Sequence, residues 1–320
     1  MELGRIGATA NGGVCRLALT AEEVEARHLL IGWARDIGLS VTMDDISNLF
    51  FRLDGTDPDA PPVVTGSHID SQPTGGKFDG AFGVVAGFEA LEAIRESGVT
   101  PARSMEVVAW LNEEGSRFSP GMMGSEAFTG RRPLKQILSV KDADGVRTAE
   151  ALETTLAAFP ELERRAFGFP MTAFLEAHIE QGPVLEEVGI PVGVVTGIQG
   201  SRRFRVSVTG DEGHAGTLPM PERKDALLAA LEMIGTMRRA FDVEQIKFTV
   251  GLFRISPNVP SVVPSKAFFS IDIRHPDWKT LRDLGDSVAG LCEQNAGACA
   301  VEVSEIATSE SLEFPIEIRE

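Results

Sequence analysis

A glycine-rich stretch at residues 66–80, GSHIDSQPTGGKFDG, carries three side chains that could bind a metal ion. His68, Asp70 and Asp79 lie within a dozen positions of one another, before an apolar helix that we expect to begin near Gly83. Imidazole and carboxylate together suit zinc, manganese or cobalt, whereas an all-oxygen set suits calcium or magnesium. The glycines allow the loop to bring separated ligands onto one ion. The alternative is a glycine-rich turn with one solvated histidine.

Two later stretches add residues of the same chemical kind. Glu113 and Glu114 follow a nearly continuous apolar run, and His178 follows a shorter one in FLEAHIEQGPVLEE. One ion could take His68, Asp79 and His178. A second could share Asp79 and take Glu114, which would give a carboxylate-bridged pair of ions roughly 3.5 Å apart. Each residue alone is more often a core or surface group than a ligand, but their combination favours a metal site.

The adjacent Glu113 and Glu114 need different roles, because consecutive side chains in a strand point to opposite faces and two unpaired carboxylates repel each other. At the end of a strand both could reach the site, one as a metal ligand and the other as a general base. The alternative is two solvated glutamates in a turn. Asp70 is expected to hydrogen-bond the free imidazole nitrogen of His68 and fix its tautomer, or else to cap the following turn.

The elements that must position these residues are typical of an α/β domain. Thr20 and Glu23 form a capping-box pattern at the start of a helix that Gly38 follows. Two short strands, FRLDG and PPVVTG, precede a helix over residues 83–96, and MEVVAWLNEEG then indicates a strand buried on both faces of a parallel sheet. Ligand sites in such sheets lie beyond the carboxyl ends of the strands, where His68 and the two glutamates fall.

The pattern changes from Arg202 onward. RFRVSVT alternates like a half-exposed strand, and it is followed by an amphipathic helix over residues 221–240, the strands IKFTVGLFRI and KAFFSIDIR, a helix over residues 279–295 and the strand CAVEVSEI. This order, βαββαβ, is the split-βαβ arrangement of a small α+β domain with an antiparallel sheet. One face of that sheet would be free for helices or a partner, which predicts a lid or dimerisation domain.

The length of 320 residues indicates two domains. We expect a catalytic metal-binding α/β domain over residues 1–200 and a lid domain over residues 201–308. Residues 309–320 are interpreted as the start of a return to the first domain.

Composition excludes several classes of partner. The net charge is −17 and no run of Lys or Arg forms a basic stripe, which argues against nucleic acid and anionic membrane as partners. Three cysteines without paired spacing support neither a disulfide framework nor a zinc finger. The N-terminus has no apolar leader and no stretch is long enough to span a bilayer, so we predict a cytoplasmic protein.

The stretches GSHIDSQPTGGKFDGAFGV, WLNEEGSRF, MMGS, EAHIEQGPVLE, HAGTLPM with KDALLAA, and SIDIRHPD together resemble the M20 metallopeptidase-like amidohydrolases. Within that family they are most similar to the group of N-carbamoyl-L-amino-acid hydrolases, β-ureidopropionases and allantoate amidohydrolases. The match covers nearly the whole chain in the same order. It implies a binuclear-metal, peptidase-like catalytic domain with an inserted ferredoxin-like lid and dimerisation domain, and a homodimer formed through that lid.

The resemblance also implies residue roles. It implies two divalent ions, Zn²⁺ or Mn²⁺ with Co²⁺ or Ni²⁺ as alternatives, bound by His68, Asp79 as the bridge, Glu114 and His178. Glu113 would be the general base. The residues implied to contact substrate are Gln181, His214, Asn258, Ser261 and Arg274, of which His214 would stabilise the oxyanion and Arg274 would bind the substrate carboxylate.

The chain departs from the family pattern in two places. The family has an asparagine directly before the VVP of the lid strand, whereas PNVPSVVP places Ser261 there and Asn258 three residues earlier. The family's last metal ligand is a histidine in a glycine-rich C-terminal segment, and this chain has no histidine after His275. The second ion would then have only Asp79 and Glu114. We expect the sequence to be a fragment; the alternative is an incomplete catalytic domain with a weakly bound second ion.

The function implied is hydrolysis of a linear carbamoyl C–N bond, which would convert an N-carbamoyl-L-amino acid or a related ureido compound into an amino acid, ammonia and carbon dioxide. The alternatives are an allantoate amidohydrolase, an aminopeptidase on the same scaffold, and a non-catalytic metal-binding or dimerising protein.

Overall fold

The computed structural model describes residues 1–319, and the chain divides into two compact units, Met1–Ile190 and Pro191–Glu320. Among the residues described, no helix combines the length and the apolar character that crossing a bilayer requires.

The first unit is a mixed α/β domain. Its strands are β1 (Ser40–Asp44), β2 (Leu49–Leu53), β3 (Val63–His68), β4 (Met105–Trp110), β5 (Glu163–Arg165) and β6 (Ala173–Leu175). Its helices are α1 (Ala21–Asp36), α2 (Ala81–Glu96), α3 (Met123–Phe128), α4 (Leu134–Leu138), α5 (Thr148–Ala157) and α6 (Val184–Val188), with a 3₁₀ turn at Leu3–Arg5.

The six strands of this unit form one sheet in the order β5-β1-β2-β4-β3-β6. β3 is parallel to both of its neighbours, β4 and β6, whereas β2 is antiparallel to β1 and β4. His68 pairs with Trp110 at the end of the β3 and β4 ladder. The carboxyl ends of three parallel strands therefore meet at one edge of the sheet, which is where an α/β sheet places its ligand site.

Local signals explain where the first helices begin. The amide of Glu23 donates to the Thr20 hydroxyl at 3.4 Å, so Thr20 caps α1. α2 begins at Ala81, two residues before the position expected from the apolar pattern. Gly80, the N-cap residue, has φ +62°, a positive value that glycine adopts readily and that turns the chain from Asp79 into the helix.

The second unit contains a βαββαβ domain. Its strands are β7 (Gly197–Ile198), β8 (Gly200–Thr209), β9 (Gly213–His214), β10 (Lys247–Thr249), β11 (Phe253–Ser256), β12 (Val262–Val263), β13 (Lys266–His275), β14 (Ala300–Ser309) and β15 (Leu312–Glu313). Its helices are α7 (Ala226–Ala240), α8 (Trp278–Gln294) and α9 (Ile316–Arg319), with a 3₁₀ turn at Met220–Glu222.

The main sheet of the second unit is antiparallel, in the order β10-β13-β8-β14, and β11 also pairs with β13. Alternate residues of β8 and β13 form a core with α7 and α8 on one face, as period-two patterning requires. The predicted α/β class and the βαββαβ order of the second, ferredoxin-like domain are confirmed.

Three boundaries differ from the sequence prediction. The predicted helix over residues 221–240 begins at Ala226, because the Asp225 carboxylate accepts the amides of Leu227 and Leu228 at 3.0 Å and caps it there. IKFTVGLFRI forms two short strands, β10 and β11, rather than one. The two units divide after Ile190, ten residues before the expected boundary, and β15 pairs with β7 inside the second unit.

Candidate metal centre and active site

His68 is the last residue of β3 and is buried, with its imidazole held in one tautomer. Its Nδ1 lies 2.9 Å from the main-chain carbonyl oxygen of Asp70. Because a carbonyl can only accept, Nδ1 carries the proton and Nε2 presents a lone pair. Burial opposes protonation of His68, but the negative charges of Asp70 and Glu113 outweigh it and raise its pKa. The same negative field favours a metal cation at Nε2.

His178 reaches the same edge of the sheet from β6. Thr65 of β3 pairs with Leu175, the last residue of β6. His68 lies three residues after Thr65 at the end of β3, and His178 lies three residues after Leu175, beyond the end of β6. The Nδ1 of His178 lies 2.8 Å from the carbonyl oxygen of Ile179, so this imidazole also carries its proton on Nδ1 and leaves Nε2 free.

Asp79 completes a group of three ligand atoms. Its Oδ1 lies 3.4 Å from Nε2 of His178, and one ligand atom each from His68, Asp79 and His178 lie within 4.8 Å of one another. The imidazole ring centroids are 6.2 Å apart. Two imidazoles with free Nε2 atoms and one carboxylate are a donor set that fits a divalent transition metal ion.

Glu114 lies outside that group of three. Its Oε2 accepts a hydrogen bond from the Gln72 side chain at 3.1 Å, and its Oε1 is buried without a hydrogen-bond partner in the described structure. A buried carboxylate oxygen without a donor is costly, because its desolvation is not compensated. This unpartnered oxygen fits a cation at the position predicted for the second ion.

Asp70 links the two loops that carry the site, although not through the contact we predicted. The acceptor for His68 is its main-chain carbonyl, while its carboxylate Oδ1 lies 3.6 Å from Nδ1. The carboxylate instead accepts the main-chain amides of Glu113 and Glu114 at 3.1 and 3.2 Å. It therefore joins the loop after β3 to the loop that carries these two glutamates. Burial raises the pKa of Asp70 to about 7, and the His68 charge opposes that shift.

Glu113 lies beside the imidazole of His68. Its Oε2 lies 3.4 Å from Nε2 of His68. Burial raises the pKa of Glu113, the His68 charge opposes the shift, and the Glu114 charge adds to it. A carboxylate whose pKa is raised toward neutrality can both take and return a proton.

Gln181 contacts a predicted ligand directly. Its side-chain amide donates to Oδ2 of Asp79 at 2.6 Å.

Two further contacts at the site were not predicted from the sequence. The Asn48 side chain accepts the Leu111 amide at 2.8 Å and donates to the Gly124 carbonyl at 3.1 Å, so it holds both ends of the loop that carries the glutamate pair. The Ser67 hydroxyl donates to the carboxylate of Glu176, whose pKa is raised by burial. A polar Asn in the apolar run ISNLFF was the available signal for the first contact; the second had none.

His214, in the second unit, has the opposite tautomer to the two histidines of the first unit. It lies in β9 opposite Val262, and its Nδ1 accepts the Gly216 amide at 3.1 Å. Nε2 therefore carries the proton, and a neutral N–H donor of this kind is what an oxyanion-stabilising residue needs. Nearby, the Ser261 carbonyl accepts the Ala215 amide at 3.0 Å, and Asn258 has a left-handed φ of +51°.

Arg274 lies in β13 at a cationic cleft. Its Nε and Nη2 each donate to the Asp272 carboxylate at 3.0 Å, and Arg203 donates to the same carboxylate at 3.0 Å. Lys247 stands directly opposite Arg274 in β10. A cleft of about 270 Å³ is lined by Gln199, Lys247, Thr249, Asp272 and Arg274. Cations exceed anions here, so the cleft suits an anionic group.

Comparison with known proteins places these residues in a family context. The sequence profile of peptidase family M20/M25/M40 matches residues 64–312. An N-carbamoyl-L-amino acid amidohydrolase from Geobacillus stearothermophilus is 40% identical over 299 residues, which cover 90% of this chain and 73% of that protein. An allantoate amidohydrolase from Bacillus subtilis is 37% identical over 299 residues, which cover 91% of this chain and 72% of that protein.

A solved structure shows the same fold over most of the chain. An amidase of the hydantoinase/carbamoylase family from Burkholderia vietnamiensis is 42% identical, with a TM-score of 0.88. The alignment covers 98% of this chain and 76% of the Burkholderia chain.

Proposed function

The chain belongs to peptidase family M20/M25/M40, and from that premise we propose that it hydrolyses the carbamoyl C–N bond of N-carbamoyl-L-amino acids. The products would be the free amino acid, ammonia and carbon dioxide. The observation that carries the proposal is the pair of histidines, His68 and His178, which turn free Nε2 atoms toward Asp79 within reach of the Glu113 carboxylate. The resemblance seen in the sequence motifs is confirmed at the level of the family.

The site would hold two divalent ions, Zn²⁺ or Mn²⁺. His68, Asp79 and His178 would bind the first, and Asp79 and Glu114 would contribute to the second. The buried Glu114 oxygen, which has no hydrogen-bond partner among the described residues, supports this assignment. When bound, such ions polarise the scissile carbonyl and lower the pKa of water.

The chain's own residues would then handle the protons and the developing charge. Glu113 takes a proton from the attacking water and delivers it to the leaving nitrogen, which its raised pKa allows. The Asp70 carboxylate holds Glu113 in place by accepting the main-chain amide of Glu113. The Nε2–H of His214 stabilises the oxyanion, and it needs no change of tautomer to do so.

Substrate selection would depend on the second unit. Arg274 would bind the substrate carboxylate with the donors that Asp272 leaves free, and Lys247 would add charge to the cleft. Gln181, Asn258 and Ser261 would contact the rest of the substrate. The lid would also form a homodimer.

The decisive experiment is turnover by purified, metal-loaded protein. N-carbamoyl-L-amino acids, allantoate and dipeptides are compared at equal concentration, with ammonia and free amine as readouts. We expect turnover of the carbamoyl amino acids. Turnover of allantoate alone would instead select the activity named for the Bacillus subtilis relative, and cleavage of dipeptides alone would refute the proposal.

A further inference from the structure

Arg16 is a buried arginine of the first unit, with only 1% of its surface exposed. Its Nε donates to the Ile69 carbonyl at 2.6 Å, and its Nη1 donates to the carbonyls of Leu3 and Ile6, each at 3.0 Å. Within residues 1–319, no carboxylate forms an ion pair with it. A buried charge is costly unless it is paired or well hydrogen-bonded. Main-chain carbonyls therefore stabilise this cation where a carboxylate commonly would.

The carbonyl that Arg16 holds belongs to the residue between His68 and Asp70. His68 contributes its imidazole to the metal centre and donates to the Asp70 carbonyl. The Asp70 carboxylate in turn accepts the amides of Glu113 and Glu114. The orientation of the Ile69 carbonyl thus determines where the following residue places its carbonyl and its carboxylate.

The main chain beside Arg16 reinforces this contact. The Arg16 amide donates to the Ser71 hydroxyl at 2.8 Å, and the Arg16 carbonyl accepts the Ser71 amide at 2.8 Å. Val14 and Gly75 exchange two main-chain hydrogen bonds of 2.9 and 3.0 Å. The segment before α1 therefore lies along the metal-binding loop from residue 69 to residue 75.

We propose that Arg16 is a positioning residue for the metal centre, which fixes the loop between His68 and Asp79 by holding the Ile69 carbonyl. This rests on the proposed function, because it assumes that His68 binds a metal ion. A lysine cannot take over the role, since its single nitrogen lacks the planar fork that reaches separate carbonyls.

The chain offers a matched control. Arg27 is also fully buried in the first unit, but its guanidinium contacts the Glu23 carboxylate at 2.8 Å and the Ser47 carbonyl at 2.5 Å rather than the metal loop. Arg16→Lys and Arg27→Lys therefore impose a similar change in the core. Only the first removes a contact to the loop.

The test is titration of the metal-free protein with Co²⁺, followed by d–d absorption, and with Zn²⁺ in competition, at a temperature at which both variants are folded. We expect Arg16→Lys to bind the first ion about 10-fold or more weakly than wild type, with an altered Co²⁺ spectrum. Arg27→Lys should retain wild-type affinity and spectrum. Equal affinities of the two variants would overturn the proposal.

If Arg16→Lys does not fold, Arg16→Gln provides the second measurement, because its shorter, uncharged side chain also removes the guanidinium donors to the carbonyls of Ile69, Leu3 and Ile6; Arg27→Gln is its matched control. Weaker Co²⁺ binding with an altered spectrum supports the proposal, and unchanged binding overturns it. Failure of the wild-type protein to bind any divalent ion would instead refute the metal centre itself, which separates the two hypotheses.

Discussion

A Cβ atom built on Gly80 would stand 2.3 Å from Nε2 of His68, so the imidazole lies directly against the glycine Cα. The backbone at Gly80 also has φ +62°, a conformation that costs other residues on the order of 1–3 kcal/mol. Both facts follow from one requirement: the chain must turn from Asp79 into α2 while leaving room for the ring of His68. Gly80 thus belongs to the proposed metal centre, although it has no side chain.

We therefore predict that Gly80→Ala lowers metal affinity at least 10-fold, as expected for displacement of a ligand, and destabilises the protein by about 2 kcal/mol. Isothermal titration with Zn²⁺ and urea unfolding measure the two effects. Gly76→Ala is the matched control, because a Cβ at Gly76 meets no atom within 4 Å. Similar behaviour of the two variants would contradict this account of Gly80.

Replacing the proposed general base should separate chemistry from metal binding. Glu113→Gln keeps the size of the side chain and removes the proton acceptor, so we expect kcat to fall by about 10²- to 10⁴-fold. Metal affinity should be retained, because Glu113 is not one of the three clustered ligand residues. Steady-state kinetics and metal titration check the two statements, and Glu163→Gln on the exposed edge strand β5 serves as control. Loss of the metal together with the activity would assign Glu113 as a ligand instead.

The residue types at the site could be predicted from the sequence, because strand ends and ligand chemistry are local properties. The structure brings His68, Asp79 and His178 together as expected from the sequence, while Glu114 lies outside the group of three. The partner of each polar group could not be predicted. Which oxygen of Asp70 faces His68 depends on amides that lie more than forty residues away along the chain.

In the fold, too, features set by local sequence could be predicted, whereas features set by distant contacts could not. Alternation predicted the main strands β8, β10 with β11, β13 and β14 and their order along the chain, since each pattern is set within a few residues; the two-residue strands β7, β9, β12 and β15 were not predicted. The predicted start of α7 at residue 221 was wrong, because the Asp225 cap and not the apolar periodicity determines where this helix begins. Asn48, Arg16 and Gly80 matter through contacts with residues distant in sequence, and no local pattern indicates such contacts.

Removing the Asn48 side chain should loosen the loop of the glutamate pair. Asn48→Ala removes a hydrogen-bond partner from the buried Leu111 amide, the Gly124 carbonyl and the Asp44 carboxylate, and we expect a loss of about 2–3 kcal/mol in the free energy of unfolding. Chemical denaturation measures it. The comparison variant is Asn295→Ala. Asn295 is half-buried and forms hydrogen bonds with the Leu291 carbonyl and the Thr236 hydroxyl, so its replacement should lower the free energy of unfolding by about 1 kcal/mol. Equal losses would show that Asn48 has no special role.

Stability should depend on pH through Asp44. Burial raises its pKa from 3.8 to about 7 in the folded protein, against the opposing hydrogen bonds from Asn48. Between these two values the folded state binds more protons than the unfolded state, so the free energy of unfolding falls as pH rises, by at most about 1.4 kcal/mol per pH unit. Denaturation of metal-free protein from pH 4 to pH 7 should show a shallower decline in Asp44→Asn than in wild type. An identical slope would exclude Asp44 as its source.

Arg274 should act on substrate affinity rather than on the metal. Its guanidinium is held by Asp272 in a cleft that Lys247 makes more positive, so a carboxylate placed there gains charge-assisted hydrogen bonds. We expect Arg274→Gln to raise the KM for N-carbamoyl-L-amino acids by about 10- to 100-fold, equivalent to the loss of one or two such bonds.

The discriminating comparison uses a substrate analogue whose carboxylate is replaced by a neutral amide. Its KM should be nearly the same in wild type and in Arg274→Gln, because the group that the arginine recognises is absent. Arg203→Gln provides the matched variant, since it removes the other arginine on Asp272 and leaves Arg274 bound to that carboxylate. If Arg274→Gln raised the KM of the acid and of the amide equally, the arginine would be supporting the fold of the cleft and the carboxylate would be bound elsewhere.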